Sequence, residues 1–246
     1  MIYAQYRLGK ELIGFMPPEV RRTIGRFRQL YDMGLHGPEL LLPQSQKYRR
    51  QSGCVFFERA CRLVRIENSE GAQAYLYGLL VHYAISSRIN PLIRRRAEGL
   101  SLPEGHIRTE FDRFLLEKDG RIPPHRYDRS IHIHLTPGEQ ETVAMFYPGI
   151  RPRTVGRCTK QLGKVMHLSA TTIGSRRDLT RKLLRVSGND LHMMGLHPDR
   201  RLKSTNAELL EQFRQARESF PTMLRQIQIR LRRKEPFGPE FDAPFV

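Results

Sequence analysis

The stretch from Tyr75 to Asp112 constrains the fold more than any other part of the chain. It begins Tyr75-Leu76-Tyr77-Gly78-Leu79-Leu80-Val81-His82-Tyr83-Ala84, an apolar run with one imidazole inside it. A helix that is apolar on every side has no solvent face and belongs at the centre of a bundle. The pattern predicts this helix over residues 72–89, ended by Pro91 and the basic run Arg94-Arg95-Arg96. A second helix follows from Gly105 to Lys118, burying Ile107, Phe111, Phe114 and Leu115 and stopped by Gly120. On it, His106 and Glu110 are four residues apart, so they share one face a turn apart. A nitrogen and a carboxylate presented in that way can meet one metal ion.

The rest of the chain also reads as helix. Val20, Ile24, Phe27 and Tyr31 give helical spacing from Glu19 to Met33, opened by Pro17-Pro18 and closed by Gly34. Phe56, Phe57, Leu63 and Val64 mark a helix over 55–66. Thr136-Pro137-Gly138-Glu139 is a capping box with proline in the first turn. Helices are expected at Val155 to His167 and Arg177 to Val186. Thr205-Asn206-Ala207-Glu208 is a second capping box, opening a helix with Leu209, Phe213, Ala216, Phe220, Met223 and Ile227 on one face and a kink at Pro221. Ile131-His132-Ile133-His134 is the single short alternation, and its two histidines form a further pair able to bind a metal. The expected fold is all-α, a single multi-helix bundle. At 246 residues with no Gly/Ser-rich or Pro-rich linker, one domain over 1–246 is the reading.

Composition narrows the setting. No stretch approaches the ~20 apolar residues of a membrane span. Met1-Ile2-Tyr3-Ala4-Gln5 is not a basic segment leading into an apolar core, so no secretory leader is expected. Cys54, Cys61 and Cys158 lack zinc-finger or redox spacing, and Cys54 and Cys61 read as small core residues. A cytoplasmic, disulfide-free protein follows. Lys and Arg number 42 against 25 acids, a net charge of +17. Such a field attracts polyanions over long range. An anionic phospholipid surface, another polyanion, a protein partner or nucleic acid are the partners this charge admits, and no recognised nucleic-acid motif singles out the last.

The ordered motifs resemble one family. "YAQYRLGKEL", "YDMGLHGPELLL", "SGCVFFERA", "AYLYGLLVHYA" with "HIRTEFDRFLLEKDG", and the closing "STNAELLEQFRQARESF" are similar, in that order, to segments of the zinc-dependent phospholipase C family, in its small bacterial branch without a leader peptide. The resemblance spans nearly the whole chain and thins between Arg126 and Arg200. It implies the bundle fold of that family and a site where zinc activates a water for attack on a phosphodiester. It further implies metal-ligand positions at His82, His106, Glu110, Glu39 and Asn90, with His82, His106 and Glu110 converging on one cleft and Glu39, Ser86 and Asn90 nearby.

The departures fall on that chemistry. Gln5 replaces a family histidine, Glu39 replaces an aspartate, and the His-x3-Asp-x3-His-Pro helix pattern reads His82, Ser86, Asn90-Pro91. No histidine occurs between His36 and His82, where the family has one, and Arg49 or Arg50 stands near that place. A hydroxyl and an amide are poor donors to a dication. The expectation is at most one zinc ion, held by His106 and Glu110 with Asn90 or His82. The function it points to is a weak or inactive phosphodiester hydrolase that binds anionic surfaces. An active phospholipase C-like phosphodiesterase with one retained zinc, and a basic nucleic-acid-binding or protein-interaction module, are the alternatives.

Overall fold

The computed structural model of the chain describes residues 1–41, 48, 51–121, 133–169, 198–233 and 235–245. Among the described residues every regular element is helical: α1 (Tyr3–Ile13), α2 (Pro18–Arg26), α3 (Arg28–His36), α4 (Gly53–Glu67), α5 (Glu70–Leu100), α6 (Glu104–Lys118), α7 (Pro137–Met145), α8 (Pro152–Ser169) and α9 (Lys203–Arg232). The expected all-α class holds. No helix among these residues is long and apolar enough to cross a membrane.

The central helix is α5. Every residue from Ala74 to Ser86 is buried, as its all-round apolar pattern demands. Ser69 caps its start, accepting the Ala72 N–H at 3.3 Å, and Ser101 ends it in the left-handed conformation at φ 52°. Pro91 does not end the helix as expected; α5 runs through it to Leu100. Proline removes one backbone donor and crowds the carbonyl four residues earlier. Here Pro91 is exposed, while Ile89, Leu92, Ile93 and Ala97 stay buried and hold the helix on both sides of it.

The helix expected over Glu19 to Met33 is two helices. Phe27, at φ −122° and ψ 46°, leaves the helical region and separates α2 from α3. Apolar spacing continues on both sides of the break, which is why periodicity alone does not reveal it. Gly34, expected as the stop, lies inside α3, which ends at Gly37 with φ 58°. Gly34 serves contact rather than termination. A Cβ there would lie 2.5 Å from the Tyr75 carbonyl oxygen and 2.8 Å from the Cα of Gly78. A Cβ on Gly78 would strike the Tyr31 carbonyl. Two glycines thus let the backbones of α3 and α5 touch, which larger residues forbid.

At the chain's other end, Thr205 does not open the last helix. α9 begins at Lys203, and Thr205 and Asn206 are buried inside it at 1% and 4% exposure. The capping box at Thr136 forms as expected: Glu139 N–H donates to Thr136 Oγ1 at 3.3 Å and Thr136 N–H to Glu139 Oε2 at 2.8 Å. α9 passes through Pro221 and is followed by a tail whose packing the apolar periodicity gave no sign of. Gly53 N–H donates to Ala243 O at 2.8 Å, Phe245 N–H to Gln51 O at 2.7 Å, and Tyr83 Oη–H to Ala243 O at 3.0 Å. The Phe245 ring stacks on Phe56 at 3.6 Å between centroids, and Phe241 meets Phe57 edge-on at 5.2 Å. These rings join the same core cluster as α5. The helix expected at Arg177 to Val186 lies outside the described residues, as does His132; His134 donates its backbone N–H to Gln29 Oε1 at 2.9 Å.

Gly34→Ala and Gly78→Ala should each lower stability by about 3 kcal/mol or more, because the added methyl meets backbone that has no room to yield. Gly25→Ala, where a Cβ meets nothing within 4 Å, should raise stability by about 0.5 kcal/mol. Urea unfolding of the three variants checks both signs.

Candidate metal centre

His82 is fully buried on α5, and both of its ring nitrogens have protein neighbours. Nδ1 lies 3.0 Å from Gln5 Nε2 on α1 and 3.1 Å from the Leu35 carbonyl on α3. Nε2 lies 3.4 Å from Ser86 Oγ, one turn along α5. Nδ1 can serve only one of its two neighbours: protonated, it donates to the Leu35 carbonyl and leaves Nε2 to accept from the serine hydroxyl; unprotonated, it accepts from the Gln5 amide and Nε2 donates to Ser86 Oγ. Gly37 presses its backbone on the same ring, since a Cβ there would lie 2.5 Å from His82 Nε2. Burial lowers the His82 pKa; Glu39 and the Leu35 carbonyl oppose that shift without reversing it, and the Met1 amine and Arg108 add to it. The ring is therefore neutral at ordinary pH.

His36 belongs to this neighbourhood, and the reading of the sequence gave it no role. It is buried at 3% exposure at the end of α3. Burial first, then His82 and the Met1 amine, push its pKa down to about 3, with Glu39 opposing. The signal that marks it is its position in Gly34-Leu35-His36-Gly37-Pro38, where tight backbone on both sides holds the imidazole inward.

Glu39 and Asn90 meet through a residue that carries charge of its own. Arg108 on α6 donates from one terminal nitrogen to Asn90 Oδ1 at 2.9 Å and from the other to Glu104 Oε2 at 3.1 Å, and it lies 4.0 Å from Glu39 Oε1. Two side chains at proposed ligand positions thus face a guanidinium. Four residues on, Asp112 points the same way. Its carboxylate accepts the Ile2 and Ala4 N–H groups at 2.7 and 2.9 Å, a favourable charge at the N-terminus of α1. That anchor sets α1, and with it Gln5, against His82.

His106 and Glu110 share a face of α6, as their spacing requires, and each has its own partner. His106 Nε2 lies 2.9 Å from Asp199 Oδ2. Asp199 also takes Arg201, whose guanidinium and backbone N–H, with His106, hold its carboxyl well below the usual carboxylate range. Glu110, exposed by 3%, is gripped by Arg113 through two bonds of 2.7 and 2.8 Å and receives Asn206 Nδ2 at 3.3 Å. α6 therefore works with two faces. Arg108 and Asp112 serve α5 and α1, while His106 and Glu110 serve the segment that enters α9, with Arg113 holding Glu110 in place.

The five expected ligands fall into separate associations: His82 with Gln5 and Ser86, Glu39 and Asn90 around Arg108, His106 with Asp199, and Glu110 with Arg113 and Asn206. No three His, Cys, Asp or Glu side chains among the described residues are gathered as a metal-holding group. Asp199 and Asn206 are partners that sequence reasoning did not supply. No family model, no curated protein and no solved structure matches the chain.

The buried histidines make stability depend on pH with a definite sign. Folded, His36 resists protonation down to about 3; unfolded, it accepts a proton near its ordinary value of about 6.5. Its contribution is complete above that value and is lost as pH falls toward the folded one. Between roughly pH 7 and 5 the loss from His36 alone is about 2 kcal/mol, with His82 adding in the same direction. Urea midpoints across this range should show the decline, and His36→Gln should flatten it.

Proposed function

We propose that this protein is a zinc-dependent phospholipase C-like protein with a degenerate metal site, a weak or inactive phosphodiester hydrolase that binds anionic surfaces. One observation carries the reading. Of the positions the resemblance places at the metal, 5 and 86 flank the His82 ring, 39 and 90 face Arg108, and His106 and Glu110 are held by Asp199 and by Arg113 with Asn206. The partners those positions have taken set the family's chemistry aside.

The donors do not suit a dication. Ser86 and Gln5 offer neutral oxygen or an amide to His82, and Asn90 and Glu39 face a fixed positive charge. A zinc ion brought there would meet the repulsion of Arg108 with little anionic charge to offset its desolvation. Glu110 would have to release Arg113, and His106 would have to release Asp199. A guanidinium held between a carboxylate and an amide already supplies positive charge at this place. Phosphodiester hydrolysis needs an activated water, and Ser86, paired with the buried neutral His82, is a hydroxyl where the family has the carboxylate that would activate one.

The anionic-surface part of the reading rests on the +17 charge. Protein prepared without chelator or affinity metal should carry no more than one zinc per chain, loosely held, with His106→Ala as the control. Arg108→Ala should raise zinc affinity severalfold, since it removes the charge that competes for the place. Turnover of a phosphodiester substrate with added zinc should be slow or absent. Two or three tightly held zinc ions with robust turnover would overturn the proposal. Binding to anionic vesicles should weaken steeply with salt, because screening shortens the reach of surface charge to about 8 Å at physiological ionic strength.

A further inference from the structure

The turn between α1 and α2 carries a strongly exposed aromatic ring on a chain segment flanked by exposed cations. Phe15 is 73% exposed, the most exposed large apolar side chain among them. It does not hang loose. Phe15 N–H donates to Leu12 O at 2.9 Å and Met16 N–H to Ile13 O at 3.2 Å, while Leu12 and Met16 on either side are buried at 1% and 3% exposure. The turn is pinned from both flanks and holds the ring outward.

On the two helices that this turn joins, Lys10 of α1 and Arg21 and Arg22 of α2 lie five to seven residues from Phe15 in the chain, and all three are exposed. None of the three forms an ion pair with a described residue, whereas nearby Glu11 is engaged by Arg7 and Arg217, and Glu19 accepts from Gln228. Val20 and Ile24 lock the inner face of α2 into the core, so the two arginines stay on the outer one. Side chains on a helix lean toward its N-terminus, which tilts both guanidinium groups toward Pro18 and the Phe15 turn.

We infer that the α1–α2 turn is the docking face for an anionic lipid bilayer, with Phe15 entering the headgroup–acyl boundary and Lys10, Arg21 and Arg22 meeting the lipid phosphates and carboxylates. The inference rests on the proposed binding of anionic surfaces and gives it a place and an orientation. The charge complementarity selects the anionic leaflet. The ring selects a bilayer over a soluble polyanion, because an apolar wedge gains from leaving water only where an apolar phase is offered.

The chain contains no tryptophan, so Phe15→Trp gives a single reporter in an otherwise intact protein. Sedimentation with phosphatidylserine-rich and phosphatidylcholine vesicles, and emission spectra of Phe15→Trp with each, are the measurements. The expected result is binding to the anionic vesicles with a blue shift of the indole. Phe15→Ser should weaken that binding about tenfold, and Arg21→Gln with Arg22→Gln about thirtyfold. If the wild type fails to bind anionic vesicles, the underlying surface-binding reading falls and takes this inference with it. If the wild type binds and all variants bind equally, the surface reading stands and this face is the wrong one. If the arginine pair matters but the indole stays in water, and heparin binds as tightly as vesicles, the face takes soluble polyanions and the bilayer inference is overturned.

Discussion

The close contact between Gly34 and Gly78 is the constraint on which the rest of the structure depends. α3 and α5 approach until backbone meets backbone, and that distance fixes the residues that follow. Leu35 comes near enough to offer its carbonyl to His82. His36 is drawn into the interior beside it. Gly37 turns at positive φ because the His82 ring leaves no room for a side chain. A side chain at either glycine would push α3 outward and open this arrangement, so a helix crossing sets the chemistry of a site a turn or two away.

A second dependence runs through α6. One helix serves two neighbours because residues two apart point to different faces. Asp112 holds the start of α1 and Arg108 reaches Asn90 and Glu104, while Glu110 and His106 reach the residues that lead into α9. The pairing of Glu110 with Arg113 and Asn206 is buried, and charge there is compensated by geometry that water does not share. In this arrangement positive side chains are structural. Arg108, Arg113 and Arg230 each occupy a specific acceptor set, and Arg230 ties α9 to Glu58 and to the Glu235 carbonyl of the tail. Much of the chain's excess charge elsewhere lies on the surface, where it is free to act over distance.

The tail shows the same principle in apolar form. Phe241 and Phe245 fill a space between α4 and α5 that Phe56, Phe57 and Tyr83 line. Gly53 gives the strand-like segment access, since a Cβ there would strike the Tyr83 ring. Truncating such rings in a core costs about 3–5 kcal/mol each, so the tail is part of the fold rather than an appendage to it.

Local rules carried the elements whose causes lie within one turn of helix. The Thr136 capping box, the αL stop at Gly120, the shared face of His106 and Glu110, and the burial of residues 74–86 all follow from neighbours three or four positions away, which sequence displays directly. The positions that misled did so because a distant partner decided them. Gly34 reads as a stop but answers to Gly78. Pro91 reads as a break but sits on the one side of α5 that faces water. Thr205 and Asn206 read as a cap but are buried, with Asn206 turned to Glu110. The sequence likewise named His82, Glu39 and Asn90 without their partners, because the guanidinium of Arg108 and the amide of Gln5 reach them from other helices. Sequence by itself determined the helical class, the central helix and the set of polar residues available to a site. Which of those residues meet was decided by tertiary structure alone, since hydrogen bonds and close packing act through space between segments as much as two hundred residues apart.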